Sequence, residues 1–496
     1  MVEKITVAEL FAGVGGFRLG LEGNPNLEED TGFKVVFSNQ WEPPGNNRQW
    51  ASEIYQMHFG NEGHNNQDIH DIACHQGELA GTINKRIDNH DLLVGGFPCQ
   101  DYSVARTISG ELGIKGEKGK LWVPIRNIIR HKRPRPKVIL LENVPRLLNS
   151  PAKARGLNFA IILNDLISMG YEVEWRVINA AEYGMPQQRR RVFILAYRTP
   201  NSGQLKSING PEKYGSIRKT MGPMSKWLLG KSTSKDASEW KEGPFSEAFP
   251  LTGEMRGKPE LISQNLETYS SKSSPFGNAG YAWKKAMMPS NSRKPVYWSI
   301  KNINTEYDGK RMVLGDVIEK TFSKKYEVDT TRIDEWEYAK GSKKEFRIRK
   351  KDRGNVNSDL LELYDRCMSA PFKERAGLWT DYRSKFIEAI GNDKFYHYDE
   401  GAMVFDSKEK ASRTVVTAEI GTSPSRMRHI FFDSPEKLRR LSPIETERLN
   451  MFPDNWTMLD DIKDSRRGFL MGNALVVGVI ERLREPLRKL IAERRL

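Results

Sequence analysis

Six short apolar runs punctuate the first two hundred residues: 5–11 (ITVAELF), 33–38 (FKVVFS), 91–97 (DLLVGGF), 137–143 (KVILLEN), 173–179 (VEWRVIN) and 191–197 (RVFILAY). Each has the length and continuous apolar character of a buried strand. Longer segments with helical spacing lie between several of them: 46–60, 121–132, where Leu121, Ile125 and Ile128 share one face, and 158–170, which ends at Gly170. Strands alternating with helices predict an α/β fold with a doubly wound, Rossmann-like sheet.

The pattern changes after Arg198. Ser, Gly, Pro, Lys and Asn crowd residues 199–235, which read as loop and linker. Trp, Tyr and basic residues then interleave as far as about residue 435, as in 294–301 and 343–353; for any single basic run a solvated face is the simpler explanation. Residues 411–430 predict two strands around a Gly/Ser/Pro turn. Helical spacing returns from Leu438. The expected divisions are 1–199, an inserted and smaller domain at 200–437, and a C-terminal segment at 438–496 that rejoins the first.

Composition narrows the class. The chain has 496 residues, 38% hydrophobic and 29% charged, which is globular composition. Its 78 basic and 64 acidic residues leave a net charge of +14. Such a surplus suits a polyanionic partner, although charge alone leaves a nucleic-acid role and a merely basic protein about equal. The three cysteines, Cys74, Cys99 and Cys367, are widely separated and form no CxxC pair, which argues against a disulfide framework and a structural zinc site. The opening residues lack a signal-peptide pattern and no apolar stretch approaches membrane-span length, so a reduced, cytoplasmic protein without membrane or metal partners is expected.

Candidate chemistry collects at predicted strand ends. The first strand runs into a turn with Gly13, Gly15 and Gly16, where missing Cβ atoms let a ligand approach the backbone. Residue 18 is Arg, so the full dinucleotide fingerprint is absent. Gln40 and Trp41 follow the second strand, placed for a ribose and for stacking on a base, and Asp68 follows the next short apolar stretch. The strand expected at 91–97 ends in GGFPCQDYS, which places Cys99 at its carboxyl edge. A lone Cys is more often a small buried hydrophobe, yet its Gly, Pro and polar flanks favour a loop. Residues 101–120, with four glycines, have the character of a lid. Glu142 closes another apolar strand, where helix capping or a salt bridge is the plainer role. Arg189, Arg190 and Arg191 open the last strand, and alternation places Arg189 and Arg191 on one face.

Together, ELFAGVGGFRLGLE, SNQW, GGFPCQDYS, LLENV, YGMPQQRRRVFILA, RRLSPIETERLNMFP and GNALVVGVI resemble, in order, the bacterial DNA (cytosine-5) methyltransferases of restriction–modification systems. The resemblance covers much of residues 1–200 and 438–481. It implies an S-adenosylmethionine-dependent enzyme whose residues 200–437 form a target-recognition domain. Cys99 would attack C6 of a flipped-out cytosine, Glu142 would hold N3 and the exocyclic amine, and Arg191, with Arg189 nearby, would hold O2 and favour the thiolate. Phe11, Gly13, Gly15, Gly16, Gln40, Trp41, Asp68, Pro98, Asn473 and Ala474 would line the S-adenosylmethionine pocket. Gln40 stands where the family has Glu, so Gln40 or Glu42 would meet the ribose; Glu9 replaces the family's Asp. Ser103, Arg413, Thr414, Arg426 and Arg428 are candidate DNA contacts. The implied partners are double-stranded DNA and a cognate restriction endonuclease acting on the same site without contact, with the enzyme itself a monomer.

Two other readings are a tRNA cytosine-5 methyltransferase, which the long insert disfavours, and an inactive DNA-binding relative, which the intact Cys99, Glu142 and Arg191 disfavour. If the positive charge serves phosphate contacts, log affinity for duplex DNA should fall with log salt concentration by about 0.9 per phosphate neutralised. A titration from low to high salt checks this; a flat response counts against a DNA footprint.

Overall fold

The computed structural model describes residues 4–27, 29–43, 48–74, 78–97, 121–198, 244–255, 260–284, 295–321, 323–327, 358–371, 395–399, 403–421, 428–434 and 437–492, with five single positions between 374 and 385. Pro98, Cys99, Ser103, Arg426, the glycine-bearing run 101–120 and the basic run 343–353 lie outside the described residues. The chain divides into two compact units, one of residues 1–183, 190–309 and 477–496, the other of residues 184–189 and 310–476.

The first unit is built on a sheet whose parallel part comprises β1 (Ile5–Leu10), β2 (Phe33–Asn39), β3 (His64–Asn65), β4 (Leu92–Gly96) and β5 (Val138–Asn143), in the order β3-β2-β1-β4-β5. The intervening helices are α1 (Gly16–Glu22), α2 (Trp50–Phe59), α3 (Ile69–Ala73), α4 (Leu79–Arg86), α5 (Trp122–His131) and α6 (Leu157–Ser168). Both faces are covered, and alternation along β1 shows how. Ala8 and Leu10 join a core with Ile72 of α3, Ile83 of α4, Ile125 of α5 and Leu163 of α6. Glu9, on the opposite face, meets Tyr55 of α2. This is the doubly wound arrangement that the periodicity predicts.

The six expected strands are all present, but the last one reverses direction. β6 (Tyr171–Asn179) and β7 (Arg190–Arg198) pair antiparallel, and β7 lies antiparallel to β5. The sheet continues past β6 through strands of the insert: β8 (Leu251–Met255), β9 (Glu260–Leu261), β10 (Ala279–Lys284) and β11 (Pro295–Thr305). β10 pairs antiparallel with β6, so part of the insert belongs to the same scaffold. Its seam carries aromatic packing, with Trp175 and Phe276 edge-to-face at 5.9 Å.

The second unit contains a four-stranded antiparallel sheet, β13-β12-β14-β15, from β12 (Phe395–Asp399), β13 (Met403–Ser407), β14 (His429–Ser434) and β15 (Lys437–Arg440). The segment RRLSPIE has a structural explanation there. Arg439 makes two hydrogen bonds of 2.9 Å to the buried Glu445 carboxylate. Ser442 and Glu445 form a capping box at the start of the helix Pro443–Leu449, and Pro443 occupies its first turn. Of the two strands expected around a turn at 411–430, only β14 forms. Residues 413–416 are not a strand: Val415 bonds to side chains, its N–H to Gln187 at 2.9 Å and its carbonyl to Arg189 at 3.0 Å, and Val416 bonds locally to Glu419.

One contact closes the first unit. Helix α1 packs against the C-terminal helix Val477–Ala492, and a Cβ on Gly20 would lie 2.5 Å from Ile480 Cβ and 2.8 Å from its Cγ2. Gly20→Ala should therefore destabilise the unit by about 1–3 kcal/mol through overpacking. Chemical denaturation checks this, and an unchanged midpoint would show that the two helices part easily.

Candidate active site

The glycine-rich turn after β1 is a strained loop. Phe11, Gly13 and Gly15 all have positive φ, at 55°, 57° and 88°. Gly15 is required twice over, because a Cβ there would also lie 2.5 Å from the Phe59 ring. Gly13 has nothing within 4 Å of the corresponding position, which leaves space beside the loop, and its N–H donates to Gln40 Oε1 at 2.7 Å. Gly16 begins α1 and is buried. The loop and the end of β2 are thus tied together by the residue where the resemblance expects Glu. Glu42 is buried with its carboxylate 3.4 Å from the Ala51 N–H. Trp41 is half-buried. Asp68 caps α3, accepting from His70 N–H at 2.9 Å and lying 2.8 Å from His70 Nδ1.

Arg18, where a dinucleotide loop has its third glycine, is held on three sides. Its Nε lies 2.7 Å from Glu22, it donates to the Tyr55 hydroxyl at 3.3 Å, and its guanidinium stacks 4.6 Å over Phe59. Tyr55 in turn donates to Glu9 Oε2 at 3.0 Å. The periodicity did not single out Tyr55; the available signal was a phenol on the buried face of the 50–59 helix.

The other cluster lies at the carboxyl edge of β4 and β5. Gly96 is the register partner of Glu142, so β4 ends beside that carboxylate. Asn143 is buried and donates through Nδ2 to the Phe97 carbonyl at 3.2 Å, fixing the last described residue before Pro98-Cys99. Arg191 reaches across from β7 and pairs with Glu142, Nε to Oε1, at 2.9 Å. Both side chains are mostly buried, at 18% and 14% exposure, where such a pair is less screened than on an open surface.

Arg189 is elsewhere. The expectation that it shares a face with Arg191 fails because β7 begins at Arg190, so strand alternation does not extend to residue 189. Its buried guanidinium instead donates to the carbonyls of Val415 at 3.0 Å and Gly472 at 2.7 Å within the second unit. Gln187, within the segment YGMPQQRRRVFILA, is fully buried and donates to the Leu449 carbonyl and Asn450 Oδ1, each at 3.1 Å.

The remaining candidates also lie in the second unit. Asn473 is exposed at the end of the helix Asp464–Asn473, and Ala474 caps that helix. Arg413 is paired with Asp406 at 2.6 Å, and the Thr414 hydroxyl donates to the Gln188 carbonyl. Arg428 is half-buried. Of the other cysteines, Cys367 is buried and Cys74 is half-buried, and burial pushes the Cys74 thiol above its ordinary value. Among the described residues no cluster of His, Cys, Asp or Glu is arranged to hold a metal, and no helix is long and apolar enough to cross a membrane.

This α/β sheet, with a carboxylate–guanidinium pair at the edge where the Pro-Cys run departs, is that of a DNA cytosine methyltransferase: the chain belongs to the C-5 cytosine-specific DNA methylase family, whose profile matches residues 5–489. It is 36% identical to the type II methyltransferase M.Sau3AI of Staphylococcus aureus over 99% of this chain and 97% of that protein. A second relative, the type II methyltransferase M.HhaI of Haemophilus parahaemolyticus, is 32% identical over 38% of this chain and 48% of its own length. Among solved structures, an Entamoeba histolytica methyltransferase aligns over 99% of each chain with a TM-score of 0.49 and 14% identity, too distant for residues to be carried across.

Glu9 offers a test of the loop's electrostatics. Burial pushes its carboxyl up from about 4.5 to about 8, against the opposing effects of the Tyr55 hydroxyl and the Arg18 charge. A raised folded-state value makes Glu9 a stability cost that is absent below about pH 4.5, grows as pH rises to about 8, and is constant above. At pH 7 the cost is of order 2–3 kcal/mol. Glu9→Gln, which keeps an acceptor for Tyr55, should gain stability over the parent across that window and match it below pH 4.5. Urea melts at several pH values check this; a constant difference would refute it.

Proposed function

We propose that this enzyme transfers a methyl group from S-adenosylmethionine to C5 of a flipped-out cytosine in a specific duplex site, through a covalent Cys99–C6 adduct, as the modification enzyme of a restriction–modification system. The observation that supports this best is the Glu142–Arg191 pair at 2.9 Å beside the end of β4, three residues before Cys99. The type II methyltransferase named among its relatives supports the restriction–modification setting, with a cognate endonuclease acting on the same site.

The chemistry needs each group. Cytosine C5 is a weak nucleophile until C6 bears an adduct, and a thiolate is the side chain suited to form one. Cys99 Sγ bonds to C6; Glu142, protonated, gives N3 its proton, so the electron pair gathers at C5. After C5 is methylated it loses its proton to a base, the thiolate leaves, and N3 returns its proton to Glu142, restoring the ring. Arg191 holds O2 and keeps Glu142 oriented. A duplex hides C6, so the base must leave the stack.

S-adenosylmethionine supplies the methyl group. The residues around the glycine turn suit it. Gly13, beside the half-buried Phe11, leaves open space next to the backbone, Gly15 and Gly16 allow the turn that places it, the half-buried Trp41 offers a ring face for adenine, and Asp68 keeps an acceptor beyond its cap. Gln40 bonds the loop and is the candidate for the ribose. Pro98, Asn473 and Ala474 are assigned here on the family resemblance alone. Residues 200–437 are assigned to target recognition, with Arg413, Thr414 and Arg428, together with Ser103 and Arg426, as DNA contacts. Arg189 is assigned a supporting role through its carbonyl contacts.

A duplex carrying 5-fluorocytosine at the target tests the covalent step, because fluorine cannot leave C5 as a cation. With S-adenosylmethionine present, the parent protein should form a denaturant-stable complex. Cys99→Ser should form none, since an ordinary hydroxyl is a far weaker nucleophile, whereas Cys74→Ser and Cys367→Ser should still trap. Trapping by Cys99→Ser would overturn the mechanism.

A further inference from the structure

The second unit contains a row of buried polar side chains for which the proposed chemistry has no use. Ser412, Glu419 and His429 are all fully buried. Glu419 Oε1 lies 2.8 Å from His429 Nδ1 and also accepts the His429 backbone N–H at 2.8 Å. Across the ring, His429 Nε2 lies 3.0 Å from Ser412 Oγ. Burial alone would push the Glu419 carboxyl up, but the His429 charge and these hydrogen bonds outweigh it and hold the group below its ordinary value.

A Ser–His–carboxylate row has the connectivity of a hydrolytic triad. Here none of the three side chains is exposed, so no substrate reaches Ser412 and a nucleophilic role is ruled out. What Ser412 does is begin a docked segment. Its N–H donates to the Pro186 carbonyl and its carbonyl accepts from Gln188 N–H, both at 2.7 Å, forming a parallel bridge between Gln187 and Ser412. Val415, three residues on, is held by Gln187 at 2.9 Å and Arg189 at 3.0 Å. Arg413 and Thr414 lie between these two fixed points.

We propose that the Glu419–His429–Ser412 row is a positioning device for sequence reading: it locks residues 412–415 in one register against residues 186–189 and thereby sets where Arg413 and Thr414 are presented to DNA. The inference rests on the reading above that these two residues face DNA. Apolar packing alone would tolerate a small slip of the segment. A slip here breaks the Ser412–His429 hydrogen bond and leaves a buried imidazole nitrogen without its partner, which is costly. The carboxylate orients the ring and the ring orients the hydroxyl, so the row accepts one arrangement.

The full-length protein tests this. Its methylated sites are first mapped by bisulfite sequencing of plasmid DNA from expressing cells. Kinetics then use a duplex oligonucleotide containing the mapped site, and single-base variants of it. Ser412→Ala removes only a hydroxyl. It should raise KM for the cognate duplex by roughly five-fold and reduce discrimination against the variants by a similar factor. kcat at saturating DNA and KM for S-adenosylmethionine should stay close to the parent values. Glu419→Gln, which keeps an acceptor for Nδ1, should have a smaller effect. His429→Gln combined with Ser412→Ala should be no worse than His429→Gln alone, because the row is already broken. If His429→Gln fails to fold, Ser412→Ala and Glu419→Gln still decide the matter. A Ser412→Ala enzyme with lower thermal stability but unchanged KM and discrimination overturns the proposal, as do additive effects in the double variant. If the parent methylates no cytosine, the functional reading fails. If it does, but Arg413→Ala changes neither KM nor discrimination, the DNA-facing assignment fails.

Discussion

A carboxylate held against a guanidinium ties two strands together at the rim of the first unit's sheet. Glu142 and Asn143 end a strand that is otherwise wholly apolar, and Arg191 comes from the neighbouring antiparallel strand. A parallel neighbour would have started at the opposite end of the sheet and brought its first residues to the wrong edge. The reversal of β7 therefore brings an arginine from the start of one strand beside a carboxylate at the end of another. Desolvation makes either charge costly alone, so the pair is mutually dependent. Asn143, next in the chain, uses the same rim to fix the Phe97 carbonyl.

Much of this was legible in the sequence, for a physical reason. Strands covered on both faces are apolar at nearly every position, so β1, β2, β4 and β5 stand out as continuous runs. Their carboxyl ends are where polar residues reappear, which made Glu142 conspicuous. Direction was not legible: nothing in VEWRVIN or RVFILAY distinguishes an antiparallel pair from a parallel one. That the strand begins at Arg190 and leaves Arg189 outside it was equally hidden, and so Arg189 and Arg191 looked equivalent when they are not.

The second unit shows why family signatures can be read correctly yet explained wrongly. Gln187, Arg189, Arg439, Ser442 and Glu445 all belong to segments that look like catalytic fingerprints. Gln187 and Arg189 hold carbonyls more than two hundred residues away, whereas Arg439, Ser442 and Glu445 pair with one another and cap a helix locally. Partners more than two hundred residues apart leave no local trace, whereas a capping box does, because its Ser and Glu are three residues apart.

The contact between α1 and the helix Val477–Ala492 has a consequence for how the protein is made. The helix that covers Gly20 and its neighbours is encoded some 450 residues later, with the entire second unit in between. A chain emerging from the ribosome carries the glycine turn and α1 with their outer face uncovered until that helix has been made. The first unit therefore cannot reach its final packing as its own N-terminal residues emerge, and its assembly is a long-range closure rather than the growth of a finished N-terminal domain.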